Sequence, residues 1–163
     1  MKELVRRAEL ITPNLTELCL LAGEDGDTIR ELAGERDKER IMNAAEKLAR
    51  QVMAAEPGEA LVTGIRFLDP GSGEEMIGNM AVTGNGTFLC EQPYIGESYS
   101  GTGDLFASVI AGGKARGDSL EDSAALAGSS IAAAVRDAVK HKVPRNEGVE
   151  YEKYLGMLIP RER

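Results

Sequence analysis

Two hydrophobic rhythms run through this chain. Between Asp37 and Glu56, Ile41, Ala45, Leu48, Ala49, Val52 and Met53 recur on one side of a helix, while Lys38, Glu39, Arg40, Glu46, Lys47 and Arg50 lie elsewhere. This spacing predicts an amphipathic helix ended by Pro57-Gly58. Short continuous apolar runs predict strands instead. Leu10-Ile11-Thr12 is stopped by Pro13. Ala60-Leu61-Val62-Thr63-Gly64-Ile65 is nearly apolar throughout, as suits a central strand with helices over both faces of its sheet. Met76 to Val82 and Thr87-Phe88-Leu89-Cys90 are joined by Gly84-Asn85-Gly86, a hairpin signal.

Further helices fill the gaps. Lys2 to Ala8 reads as the end of one. Asn14 opens another, carrying Leu15, Leu18, Cys19 and Leu21 before Gly23. Glu24 to Asp37 is an acidic loop with a short helix; Asp25 and Asp27 do not start a calcium loop, because Ile29 would stand where a ligand is needed. A helix from about Asp104 to Arg116 shows Leu105, Phe106, Val109 and Ile110 on one side and stops at Gly117. Ser119 caps a long Ala- and Gly-rich helix from Leu120 to about Lys142, stopped by Pro144. Tyr151, Tyr154, Leu155 and Leu158 predict a last short helix. Helix–strand alternation with one hairpin predicts a single α/β layered domain over residues 1–163, with a mostly parallel sheet.

Composition narrows the class. The 163 residues suffice for one domain with a real core, and 42% hydrophobic with 28% charged residues is ordinary for a globular protein. No apolar run is long enough to span a membrane, and Met-Lys-Glu-Leu-Val-Arg-Arg is no signal peptide. Cys19 and Cys90 sit in separate apolar stretches, which predicts reduced, buried thiols and a cytoplasmic protein. A net charge of −8 argues against a nucleic-acid groove. It leaves room for a nucleotide, whose phosphates can be held by backbone N–H groups and a divalent cation. The only histidine, His141, is expected to be a helix-end residue, and zinc is not indicated.

The candidate chemistry centres on Tyr99-Ser100-Gly101-Thr102-Gly103-Asp104. Glycines at 101 and 103 let the backbone turn sharply and let a ligand approach it. The N–H groups of a helix start seat an anion such as phosphate, and an acid beside that seat can accept a proton from an attacking hydroxyl. Asp104 is equally explicable as a cap or dipole partner. Asn14 and Glu17, three apart, fit a capping box. Gly71-Ser72-Gly73 is not followed by a helix and is assigned no phosphate role.

Ile11-Thr12-Pro13-Asn14-Leu15-Thr16-Glu17-Leu18 resembles the segment that opens the nucleotide-binding half of pyridoxal kinases in the ribokinase-like superfamily. Gly101-Thr102-Gly103-Asp104 resembles that superfamily's signature, and the strand ending Val62-Thr63-Gly64 and the hairpin come between them in the family's order. The resemblance implies a ribokinase-like α/β/α fold and ATP-dependent phosphorylation of the hydroxymethyl group of pyridoxal or a related B6 vitamer. By the same resemblance, Asp104 is the general base. Gly101, Thr102 and Gly103 form an anion hole, and Thr63 and Gly64, at a strand end, lie along the ATP phosphates. Asn14 and Glu17 help hold Mg²⁺ through its waters. Hydroxymethylpyrimidine kinases look similar through the Thr-Pro-Asn segment but tend to carry Cys where this chain has Asp104.

The chain matches only the C-terminal half of these kinases and lacks their N-terminal half. The resemblance therefore implies a homodimer, or a partner chain that supplies the missing half, beside the small-molecule substrate and ATP. Two alternatives stand: a catalytically inactive nucleotide-binding or interaction fragment, and a kinase for a related alcohol such as a hydroxymethylpyrimidine or a sugar.

Overall fold

The computed structural model describes residues 2–54, 58–96 and 98–159. It resolves into two compact units, Met1–Pro93 and Tyr94–Arg163.

The first unit carries the sheet. After a short helix α1 (Lys2–Val5) come strand β1 (Leu10–Ile11), helices α2 (Leu15–Ala22), α3 (Gly26–Gly34) and α4 (Lys38–Met53), then strands β2 (Glu59–Leu68), β3 (Glu75–Thr83) and β4 (Gly86–Pro93). The strands lie in the order β1-β2-β3-β4. β1 pairs with β2 in parallel, Leu10 opposite Glu59 and Ile11 opposite Ala60. The β2–β3 and β3–β4 pairs are antiparallel. The α/β class therefore holds, while the sheet expected to be mostly parallel is mixed in the described residues. The reason is that β2 runs on past its parallel partner into an antiparallel meander.

Local chemistry accounts for the helix ends. Asp25 caps α3 by accepting the Thr28 N–H at 2.8 Å, and Asp37 caps α4 by accepting the Arg40 N–H at 2.9 Å. Gly23, at φ 89°, ends α2 in the left-handed conformation open to glycine. The predicted Pro57-Gly58 stop falls partly outside the described residues, which break off at Ala54 and resume at Gly58. The hairpin turns at Gly84-Asn85, with Thr83 opposite Gly86. The Gly71–Gly73 segment is a turn, as expected, organised by Asp69, whose Oδ2 accepts the Ser72 N–H at 2.8 Å and the Gly71 N–H at 3.1 Å.

The apolar stripe of α4 (Ile41, Ala45, Leu48, Ala49, Val52) packs with Leu18 and Cys19 of α2 against Val62, Ile65 and Phe67 of β2 and Met80 and Val82 of β3. Each fully buried Leu, Ile, Val or Phe contributes roughly 1.5–3 kcal/mol, so this cluster is the unit's main source of stability. Cys19 and Cys90 are both free and buried, and burial raises both thiols above their ordinary value.

The second unit is helical. Helix α5 (Thr102–Arg116) starts two residues earlier than predicted and ends at Gly117, φ 82°. Helix α6 (Leu120–Lys140) is capped by Ser119, which accepts the Asp122 N–H at 3.0 Å. Two short 3-10 turns follow, Arg145–Glu147 and Tyr151–Leu158, the second where the last short helix was expected. Tyr99, Ala134, Ala138 and Val149 form this unit's core with Leu105, Val135 and Tyr154 against them. No helix among the described residues is long and apolar enough to cross a membrane.

Candidate functional site

In the first unit the predicted residues meet where β1 ends. Asn14, at φ −74° and ψ 172°, is the N-cap of α2. Its Oδ1 accepts the Glu17 N–H at 2.9 Å, and Glu17 Oε2 accepts the Asn14 N–H at 3.0 Å. The capping box is thus complete, and it uses one carboxylate oxygen of Glu17, leaving Oε1 outside it. Beside it, the Thr63 N–H donates to the Pro13 carbonyl at 2.9 Å, and Asn14 forms a parallel bridge with Thr63.

Thr63 and Gly64 were expected at a strand end, and here the structure corrects the expectation: they lie within β2, which continues to Leu68. They form a bulge. Val62 pairs with Met80 and Ile65 with Gly78, so that Thr63 and Gly64 together oppose Asn79 alone. Gly64 sits at φ +69°, and a Cβ added there would meet nothing within 4 Å. Its N–H donates to Asn79 Oδ1 at 3.1 Å.

A solvent-open cleft of about 300 Å³ adjoins these residues, with Asn14, Thr16, Gly64, Arg36 and Arg66 among those lining it. Arg66 Nε donates to Glu75 Oε1 at 3.1 Å, its Nη2 bonds the same oxygen, and Arg36 Nε stands 3.8 Å from it. Arg36 also donates from Nη1 to the Ala33 carbonyl at 2.9 Å. Two guanidinium groups are thereby gathered around one carboxylate, which places positive charge at the cleft. Asn79, Arg36 and Arg66 were not singled out in the sequence. Asn79 had a signal, being the lone polar residue of the run Met76 to Val82. Arg66 lies two residues beyond Gly64 and had none.

The second unit holds the other predicted group. Gly101, φ 80° and ψ −5°, is the N-cap of α5, and no side chain caps this helix. The first backbone bond of the helix runs from the Leu105 N–H to the Gly101 carbonyl at 3.0 Å. The N–H groups of Thr102, Gly103 and Asp104 precede it and have no intrahelical acceptor. Asp104 is exposed in the first turn. A Cβ on Gly103 would meet nothing within 4 Å, so packing does not require glycine there.

The loop before α5 is held in place. Tyr99 is only 5% exposed, its carbonyl accepts the Thr102 hydroxyl at 3.0 Å, and the Ser100 N–H donates to the Arg145 carbonyl at 3.0 Å. Gly148, φ 80°, passes so close that a Cβ would stand 3.1 Å from the Ser100 carbonyl oxygen. His141 is the C-cap of α6, as expected of a helix-end residue.

The residues present fit a nucleotide and a divalent cation in limited ways. Among the described residues no group of three or more His, Cys, Asp or Glu could hold a metal ion. Glu17 is a single carboxylate, hydrogen-bonded to Asn14 at the edge of the cleft, so a magnesium ion held by it would take most of its ligands from phosphate oxygens and water, which is its usual habit.

The chain is similar to known proteins over most of its length. The model of the phosphomethylpyrimidine kinase family matches residues 1–148. A pyridoxal kinase of Rubrobacter xylanophilus is 33% identical over 136 residues, covering 83% of this chain and 42% of that protein. A Bacteroides thetaiotaomicron protein described as a phosphomethylpyrimidine kinase, solved with pyridoxal, superposes at a TM-score of 0.79 with 26% identity, over 99% of this chain and 53% of its own. The ADP complex of Bacillus subtilis pyridoxal kinase gives 0.66 with 21% identity, over 93% of this chain and 52% of its own. The chain thus spans about half the length of the relatives it matches, and its fold is the corresponding half of the ribokinase-like fold expected from the sequence.

Proposed function

We propose that this chain, which belongs to the phosphomethylpyrimidine kinase family, is the nucleotide-binding portion of a kinase that phosphorylates the hydroxymethyl group of pyridoxal or a related B6 vitamer with ATP. The observation that carries the reading is the start of α5. A left-handed glycine without a side-chain cap leaves three N–H groups without intrahelical acceptors, and an exposed carboxylate stands in the same turn. Gly103 is glycine although no neighbour demands it, as expected where a ligand must reach the backbone.

The roles follow from charge. Asp104 takes the proton of the attacking hydroxyl. The N–H groups of Thr102 and Gly103, at the positive end of the α5 dipole, stabilise the charge on the transferring phosphoryl group. In the first unit, Asn14 and Glu17 would hold Mg²⁺ through its waters, and Thr63 and Gly64 lie along the phosphates. When bound, the cation would neutralise phosphate charge. The pyridoxal kinase relatives, and the pyridoxal and ADP in the solved neighbours, support this choice of substrates. Free, buried cysteines suit a cytoplasmic enzyme. A second copy of this chain, or a partner chain, completes the substrate pocket.

The test is MgATP-dependent phosphorylation of pyridoxal by this chain, with Asp104→Asn as control. Turnover abolished in the variant supports the reading, and turnover unchanged in it sinks the reading. A second reading is favoured by the half-length match: a module that binds nucleotide but does not catalyse. It is the outcome if the folded chain binds MgADP without turnover.

A further inference from the structure

We infer that Asn79 is a positioning residue for the nucleotide site of the first unit and acts through the Gly64 peptide. The inference rests on the reading that Thr63 and Gly64 lie along the phosphates. It goes beyond that reading by naming the side chain that sets their geometry.

A two-against-one bulge leaves one residue of the longer strand without a ladder partner. Here that residue is Gly64, which is exposed, so its N–H is free to turn outward unless a protein acceptor holds it. Asn79, the single residue facing the bulge, supplies it through Oδ1 at 3.1 Å. Thr63 is anchored on the other side, its N–H on the Pro13 carbonyl at 2.9 Å. The dipeptide is therefore tied to β3 through Gly64 and to the end of β1 through Thr63.

Two consequences follow. Both N–H groups of the dipeptide are committed to protein acceptors, so in this structure it does not form a cradle of N–H donors for a phosphate. What it contributes at the cleft is a surface of fixed shape, held at φ +69° on a glycine whose Cβ position is open. The positive charge at the cleft comes from Arg36 and Arg66. Asn79 keeps the Gly64 peptide from turning its N–H outward, and so fixes the wall against which a polyphosphate lies.

The full chain tests this with three measurements: amide exchange at Gly64 by NMR, MgADP titration by calorimetry, and thermal unfolding. Asn79→Leu keeps the approximate volume and removes the acceptor. The Gly64 amide should lose its protection, and the MgADP dissociation constant should rise about tenfold, as binding to a wall no longer pre-organised implies. Asn79→Asp keeps an oxygen acceptor and should restore the protection. A purely structural role would lower the melting temperature while leaving the affinity of the folded protein unchanged. An Asn79→Leu protein with MgADP affinity within twofold of the unsubstituted chain, or with Gly64 still protected, overturns the inference and leaves the nucleotide reading standing. Failure of the unsubstituted chain to bind MgADP overturns the nucleotide reading and this inference with it.

Discussion

Asn14 and Glu17 cap one another across the first turn of α2, each accepting the other's backbone N–H, at 2.9 and 3.0 Å. The pair is therefore structurally sufficient without any ligand. A role at a cation must be carried by what the box does not use, chiefly Glu17 Oε1.

This separation predicts the behaviour of Glu17→Gln. Glutamine serves at the third helical position of a capping box as glutamate does, so thermal stability should change little. The negative charge is lost, and nucleotide binding that depends on Mg²⁺ should weaken by about tenfold, the scale of one charge-assisted contact. Calorimetric titration with ADP, with and without magnesium, reads the difference. Equal affinities for both proteins in the presence of magnesium would remove Glu17 from the site.

Gly101→Ala tests the turn into α5. Gly101 sits at φ 80°, and a side chain in the left-handed region costs roughly 1–2 kcal/mol. No atom lies within 4 Å of its Cβ position, so the penalty is conformational rather than steric. Denaturant unfolding should show a loss of that size. Turnover in any active assembly should fall further than stability does, because the N–H groups of Thr102 and Gly103 are re-aimed.

Gly113 and Ser123 hold α5 and α6 together at close range. A Cβ on Gly113 would stand 2.1 Å from Ser123 Oγ and 2.9 Å from its Cβ, and that hydroxyl is buried and donates to the Ser119 carbonyl at 2.8 Å. Gly113→Ala should therefore destabilise by about 1–3 kcal/mol, as overpacking does. Adding Ser123→Gly removes the clashing atoms, and the double variant should recover part of the loss. Unfolding midpoints of the four proteins in the cycle check this.

The last 3-10 turn is pinned by charge. Lys153 Nζ donates to Asp137 Oδ2 at 3.0 Å and also to Glu150 Oε2. The Lys153 hydrogen bond holds the Asp137 carboxyl below its ordinary value of 3.8, and Glu150 first, then Asp137, raise the Lys153 ammonium above 10.5. A carboxyl depressed on folding stabilises above its unfolded value and loses that contribution as pH falls through the folded one. An ammonium raised on folding stabilises below its unfolded value and loses it at high pH. The linkage should thus be intact between about pH 4 and pH 10. Lys153→Met should speed amide exchange in Tyr151–Leu158 at pH 7, and the difference from the unsubstituted protein should shrink as acid lowers the pH below about 4 and protonates the Asp137 carboxyl. The pairs are solvent-exposed, so added salt should shrink the effect.

Much of this was legible along the chain. The capping box at Asn14, the glycine stops at Gly23 and Gly117, the stripe of α4 and the hairpin at Gly84-Asn85 are each set by residues within one or two turns of one another. The buried thiols followed from apolar neighbours. Sheet direction did not follow, because an apolar run such as Ala60 to Ile65 says that a strand is buried and not which way its neighbours run. β2 is parallel to β1 and antiparallel to β3, and that depends on distant residues, such as Leu10 against Glu59 and Val82 against Ala60, meeting it in a particular register.

The sequence by itself therefore determined the helices, the strands, the turns and the glycine start of α5, since caps, periodicity and glycine conformations act over a few residues. Only the tertiary structure decided that Thr63 and Gly64 form a bulge rather than a strand end, that Asn79 holds the Gly64 N–H, and that Arg36 and Arg66 gather at Glu75. Each of those depends on strand register or on the meeting of distant segments. A one-residue slip would send every side chain of β3 to the opposite face.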